Sequence, residues 1–145
     1  MKLVVDTNVL ITYFWDKSVI NEILKLPLHF ISPEYALKEI QHHKQDLIRK
    51  SKSSSQTFQK KSEQLSYAIE FIPLTTYASF LKKVSQLFDN KDQKKYEAFI
   101  KDIDFYALAL YADSPIWTND KMFKEQDEIL VFTTKEVIKL CRHFT

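Results

Sequence analysis

The chain has 145 residues, 45% of them hydrophobic, with a formal net charge of +2, one Cys and no Gly. That length suits a single domain over residues 1–145 with an ordinary core. The composition excludes a disulfide framework, a cysteine-built zinc site and any phosphate loop made from glycines. No apolar stretch approaches the roughly 20 residues of a membrane span, and the N-terminus lacks a signal-peptide pattern. The expectation is a cytoplasmic protein with no membrane contact, and Cys141 reads as a small core residue.

Positions 2–6 form a short apolar, β-branched run that ends on Asp6, which predicts a buried strand. Thr7 or Asn8 can cap a helix through Val9, Leu10, Tyr13 and Phe14. A second helix is predicted over positions 18–25 and ended by Pro27, followed by a strand over 29–31. Ser32, Pro33 and Glu34 read as a helix start, with Ala36, Leu37, Ile40, Leu47 and Ile48 at helical spacing behind them. The Ser-rich positions 51–55 read as a turn, and a helix is expected from about 58 to 70. A strand over 71–74 contains Pro73, which predicts an edge position or a strand end. Helices follow over 77–88 and 93–100, with a turn at 89–92 between them. Asp102 opens an apolar helix through Phe105 and Leu110. Strands are predicted over 115–118 and 129–132, and Thr133 or Thr134 caps a last helix that ends near His143. Strands alternating with helices predict an α/β fold, a three-layer α/β/α sandwich around a mostly parallel central sheet.

In such sheets ligands bind beyond the carboxyl ends of the strands. Four acids belong at or near that edge. Asp6 ends the first strand, and Asp120 follows the fourth by two residues. Glu39 lies on the helix after the second strand, and Asp102 lies in the first turn of the helix feeding the fourth. Taken singly, each has a plainer use: Asp6 as a cap, Asp120 as a turn residue, Glu39 on a solvated face, Asp102 as a favourable charge at a helix start. Taken together they repel one another unless a cation sits among them, and oxygen ligands suit Mg²⁺ or Mn²⁺. Asp104 is two residues from Asp102, so the two point differently on one helix and Asp104 is at most an auxiliary. Between positions 41 and 61 stand Lys44, Arg49, Lys50, Lys52, Lys60 and Lys61 against one acid, Asp46. That stretch can meet a phosphate backbone or be plain solvated surface.

Four segments carry a family resemblance. Val4-Val-Asp-Thr-Asn-Val-Leu10, Ser32-Pro-Glu-Tyr-Ala-Leu-Lys-Glu39, Asp102-Ile-Asp-Phe-Tyr-Ala-Leu-Ala109 and Ile116-Trp-Thr-Asn-Asp-Lys-Met-Phe123 resemble the four motif blocks of PIN domains. These are the metal-dependent ribonuclease fold of VapC-type toxins and of RNA-processing nucleases. The resemblance implies RNA hydrolysis with Mg²⁺ or Mn²⁺ held by Asp6, Glu39, Asp102 and Asp120. It implies that Asn8 and Thr118 orient acids or bind phosphate. Toxin members usually dimerise and bind a cognate antitoxin, so a homodimer and an antitoxin partner are implied for a toxin. The alternative is a catalytically inactive PIN-like module that binds RNA or serves as a scaffold. Two other phosphate-handling folds fit less well. A haloacid dehalogenase-type hydrolase needs an acid where Asn8 stands. A receiver domain needs an N-terminal acid pair that the chain lacks, although Lys121 stands in the right place.

Overall fold

The structure is a computed structural model that describes residues 1–15, 17–89 and 91–142. Its strands are β1 (Lys2–Val5), β2 (His29–Pro33), β3 (Ile69–Ile72), β4 (Ile116–Trp117) and β5 (Val131–Phe132). They form one sheet in the order β3-β2-β1-β4-β5, and every pairing is parallel. Leu3, Val4 and Val5 are wholly buried. Neither face of β1 meets water, as expected of the middle strand of a parallel sheet covered on both sides.

The helices are α1 (Thr7–Ile11), α2 (Ile20–Ile23), α3 (Glu34–His42), α4 (Lys44–Ser51), α5 (Ser55–Ala68), α6 (Leu74–Tyr77), α7 (Leu81–Leu87), α8 (Gln93–Ile100), α9 (Ile103–Ala112) and α10 (Thr134–Cys141). Single 3₁₀ turns occupy Thr12–Phe14, Ala78–Phe80 and Lys121–Glu125. On one side α3 packs against β2, β3 and α1, and α5 packs against β3. On the other side α9 lies against β1, β2 and β4, with α6 and α7 packed on it. The fold is therefore the expected α/β sandwich around a parallel sheet. α9 can occupy the centre of its layer because Phe105, Tyr106, Ala107, Leu108 and Ala109 are all buried, so it presents apolar side chains on every side. Behind it, Tyr106 packs against Phe99 at 4.7 Å and stacks on Phe123 at 4.9 Å, tying α8, α9 and the 121–125 turn together.

The local expectations shift in several places. The third strand lies two residues earlier than predicted, because Ile69 and Glu70 already pair with Phe30 and Ile31. Pro73, which has no N–H to donate, ends it and leads into α6. β3 is an edge strand, as Pro73 suggested. Neither Thr7 nor Asn8 caps α1; the cap position is Asp6, whose side chain does not bond back to the helix. Ser32 does not cap α3 either, because its hydroxyl donates to the Val5 carbonyl at 2.8 Å instead. The predicted helix behind Pro33 is broken at His43 into α3 and α4, and nothing in the surrounding packing explains the break. At the C-terminus Thr133 caps α10 in a full capping box with Glu136. The predicted helix end near His143, and Asn90 in the predicted 89–92 turn, lie outside the described residues. Cys141 and Trp117 are buried core residues, and no helix among the described residues is long and apolar enough to cross a membrane.

Candidate active site

The strand order has a switch point. From β1 the chain steps outward through β2 to β3, then crosses back so that β4 and β5 lie on the other side of β1. The connections diverge there, at the carboxyl ends of β1 and β4, which is the edge at which ligands bind in open parallel sheets. Asp6 follows the last residue of β1, and Thr118 follows the last residue of β4. The Asp6 amide donates to the Trp117 carbonyl at 3.0 Å, which fastens the two strand ends side by side.

Thr118 links the two acids. Its hydroxyl donates to Asp6 Oδ2 at 2.8 Å and accepts the Asp120 amide at 3.0 Å. Asp120 Oδ1 in turn accepts the Met122 amide at 3.0 Å and caps the 121–125 turn. Asp6 and Thr118 are only 3% and 1% exposed, so these two side chains have essentially one available geometry. Glu39 is held from the first strand's side. The Thr7 hydroxyl, one residue past Asp6, donates to Glu39 Oε1 at 2.6 Å. Asp102 stands at the N-terminus of α9 without capping it, which leaves both its oxygens available at that edge.

The electrostatics show that the four acids share one neighbourhood. Burial pushes Asp6 up to about 6. The Thr118 hydrogen bond opposes that rise, and the charges of Glu39 and Asp120 add to it. Burial pushes Asp102 up to about 7, with further increments from Asp6, Asp120 and Glu39 and a small opposing effect of Lys101. Among the described residues none of the four forms an ion pair. Among the described residues their mutual repulsion is therefore opposed by no ion pair, and at Asp102 only by the charge of Lys101. Asp104 is different. Burial raises its carboxyl as well, but its charge acts on Tyr77 and Tyr35 rather than on Asp6.

The other expected residues scatter more. Asn8 is exposed in the first turn of α1. Lys44 sits over the Phe58 ring at 5.7 Å, Arg49 pairs with Asp46 at 2.8 Å, and Lys61 donates to the Phe14 carbonyl at 3.1 Å. Lys50, Lys52 and Lys60 are exposed around the α4–α5 turn. Two contributors were not singled out in the sequence. Thr7 positions Glu39. Tyr106 feels the charges of Asp102, Asp120 and Asp6, which together with burial push its hydroxyl far up and keep it neutral. Its spacing of four residues from Asp102 on one helix was a readable signal, hidden by the apolar company it keeps.

The donor set is all carboxylate, which suits a hard divalent cation. Among the described residues no three acidic, His or Cys side chains close around a single point. An ion that takes one or two carboxylates and keeps water in its other positions fits such an open set better than one needing a complete protein cage.

A family model described as PIN domain matches residues 4–136. The chain belongs to the PIN-domain family. Its fold also matches a solved structure. A chain of the VapBC2 complex from Rickettsia felis, solved bound to a DNA fragment from the complex's promoter, superposes with a TM-score of 0.66 at 15% identity, covering 92% of this chain and 98% of that one. At that identity the likeness is one of fold. A comparison with curated protein sequences finds no match. PIN domains are a nuclease family, and its nucleases generally use divalent metal ions.

Proposed function

We propose that this PIN-domain protein is a ribonuclease that hydrolyses RNA phosphodiester bonds with Mg²⁺ or Mn²⁺ bound among Asp6, Glu39, Asp102 and Asp120, one or two of these carboxylates holding the ion. The observation that carries the reading is the shared charge neighbourhood of the four acids at the switch point of the sheet. A divalent cation there supplies a bound water of lowered pKa and offsets the charge of the scissile phosphate. The chain's own residues do the positioning. Thr118 fixes the rotamer of Asp6 and the backbone of Asp120 through one hydroxyl. Thr7 holds Glu39 toward them. Tyr106, kept neutral, closes the back of the site and excludes water there. Asn8, exposed two residues after Asp6, is the phosphate-side auxiliary, and Asp104 an auxiliary on the α6 side. Lys50, Lys52 and Lys60 lead the RNA backbone, with Lys44, Arg49 and Lys61 as a more tightly engaged flank. The protein works in the cytoplasm as the toxin of a toxin–antitoxin pair, with an antitoxin protein and a second copy of itself as partners. Support for this last step is the fold shared with the VapBC2 chain.

RNA cleavage should stop with chelator and return with Mn²⁺. Asp6→Asn should lower the rate by about a hundredfold or more, the scale on which key electrostatic groups act. Undiminished cleavage by Asp6→Asn, at matched folding, would contradict the assignment. Wild-type protein that binds RNA but never cuts it would instead favour the scaffold.

A further inference from the structure

One aromatic side chain near the acid cluster is left partly open, with its hydroxyl unbonded among the described residues. Tyr35, in the first turn of α3, is 40% exposed, and its hydroxyl makes no hydrogen bond among the described residues. It stands four residues before Glu39 on the same helix, so the two side chains are neighbours on one face. Glu39 is itself tied by Thr7 to the segment that carries Asp6. The ring therefore lies about one helical turn from the carboxylates. Partial burial pushes its hydroxyl up and the charges of Glu39, Asp104 and Asp102 add to the rise, so the ring lies near the start of α9 as well as on α3. An exposed ring costs free energy in water and adds little to the core here, whereas a base stacked on it covers the apolar face. The phosphate of a nucleotide and its base are close enough in space for one to meet the carboxylate edge while the other meets this ring. Only an unpaired base offers a free face; in a duplex both faces are covered by its neighbours.

We propose that Tyr35 stacks on the base of a nucleotide next to the phosphate at the acid cluster, so that the site selects unpaired RNA. The proposal rests on the reading of the acid cluster as facing RNA. It is tested by binding, separately from cleavage. A short unstructured RNA with a fluorescent label is titrated in Ca²⁺ and followed by anisotropy, with a hairpin of the same length in parallel. Tyr35→Ala and Tyr35→Leu should each weaken binding of the unstructured strand by about tenfold, the scale of one base–aromatic stack. Tyr35→Phe should bind as the wild type does, and the hairpin should respond to none of the three. Equal melting temperatures of the variants would show that the folds match. Wild-type affinity in Tyr35→Ala or Tyr35→Leu overturns the stack, as does a failure of the wild type to bind the unstructured strand. Cleavage in Mn²⁺ is scored on its own. Tyr35-dependent binding without cutting would remove the nuclease reading and keep the stack. Cutting with unchanged Tyr35→Ala affinity would do the reverse.

Discussion

An aspartate ordinarily titrates near 3.8, yet Asp6 and Asp102 keep their protons up to about 6 and about 7. Stability therefore depends on pH. Between about pH 4 and 7 the folded chain binds more protons than the unfolded one, so the metal-free protein loses stability as pH rises through that window. The loss is complete above the folded values and absent below about pH 4, where both states are protonated. Asp102→Asn removes one of the two raised carboxyls. In chelator at pH 8 this variant should melt above the wild type by a few degrees, given about 2–4 °C per kcal/mol for a chain of this size. At pH 5 the gap should shrink, because wild-type Asp102 is then neutral. Thermal melts across pH check this directly. A variant that melts lower at pH 8 would mean that the carboxylate is satisfied by the protein and not strained by its neighbours.

At the scale of elements, a chain with no Gly must close its helices by other means. α4 is followed by Lys52 at φ 54°, and α9 by Asp113 at φ 48°, both left-handed. A side chain at such a position costs about 1–2 kcal/mol, which glycine avoids. Asp113→Gly should therefore raise stability by about 0.5–1 kcal/mol after the entropy that glycine adds to the unfolded chain, measurable by urea unfolding with unchanged slope. The α4–α5 turn carries the second prediction at this scale. Three of its six basic side chains have local work to do, against Phe58, Asp46 and the Phe14 carbonyl. Replacing the exposed trio Lys50, Lys52 and Lys60 by Ala should weaken RNA binding and flatten its dependence on log salt by about 0.7 for each phosphate no longer neutralised. An unchanged slope would return the turn to plain surface.

For the whole molecule, four acids repel one another at one sheet edge, and none of them forms an ion pair among the described residues, the charge of Lys101 opposing the repulsion only at Asp102. Mg²⁺ or Mn²⁺ should raise the melting temperature at pH 8 and do so much less at pH 5, where protons compete with the ion for Asp6 and Asp102. Asp102→Asn should blunt the metal-induced rise even though it melts higher without metal. Equal metal-induced shifts in both proteins would place the ion elsewhere.

The sequence by itself determined the alternation of strands and helices, the edge or end position of the Pro73 strand, a threonine cap at position 133 or 134 and which acids end strands. Each of these depends on local periodicity, a missing N–H or a hydroxyl at a helix start. Only the tertiary structure decided what the polar side chains near the site do. Ser32 and Thr7 look like helix caps in sequence, but one holds the Val5 carbonyl and the other Glu39. Spacing on one helix separated Asp102 from Asp104, and the packing of α9 against the sheet set Asp102 within the charge of Asp6. Tyr106 and Tyr35 are both aromatic positions in helices, yet one is sealed beneath the acids and the other stands open beside them. A hydrogen-bonding or aromatic side chain is assigned by its partners, and those partners are brought together by the pairing of β1 with β2 and with β4 and by the packing of α1 on α3, which no local pattern encodes.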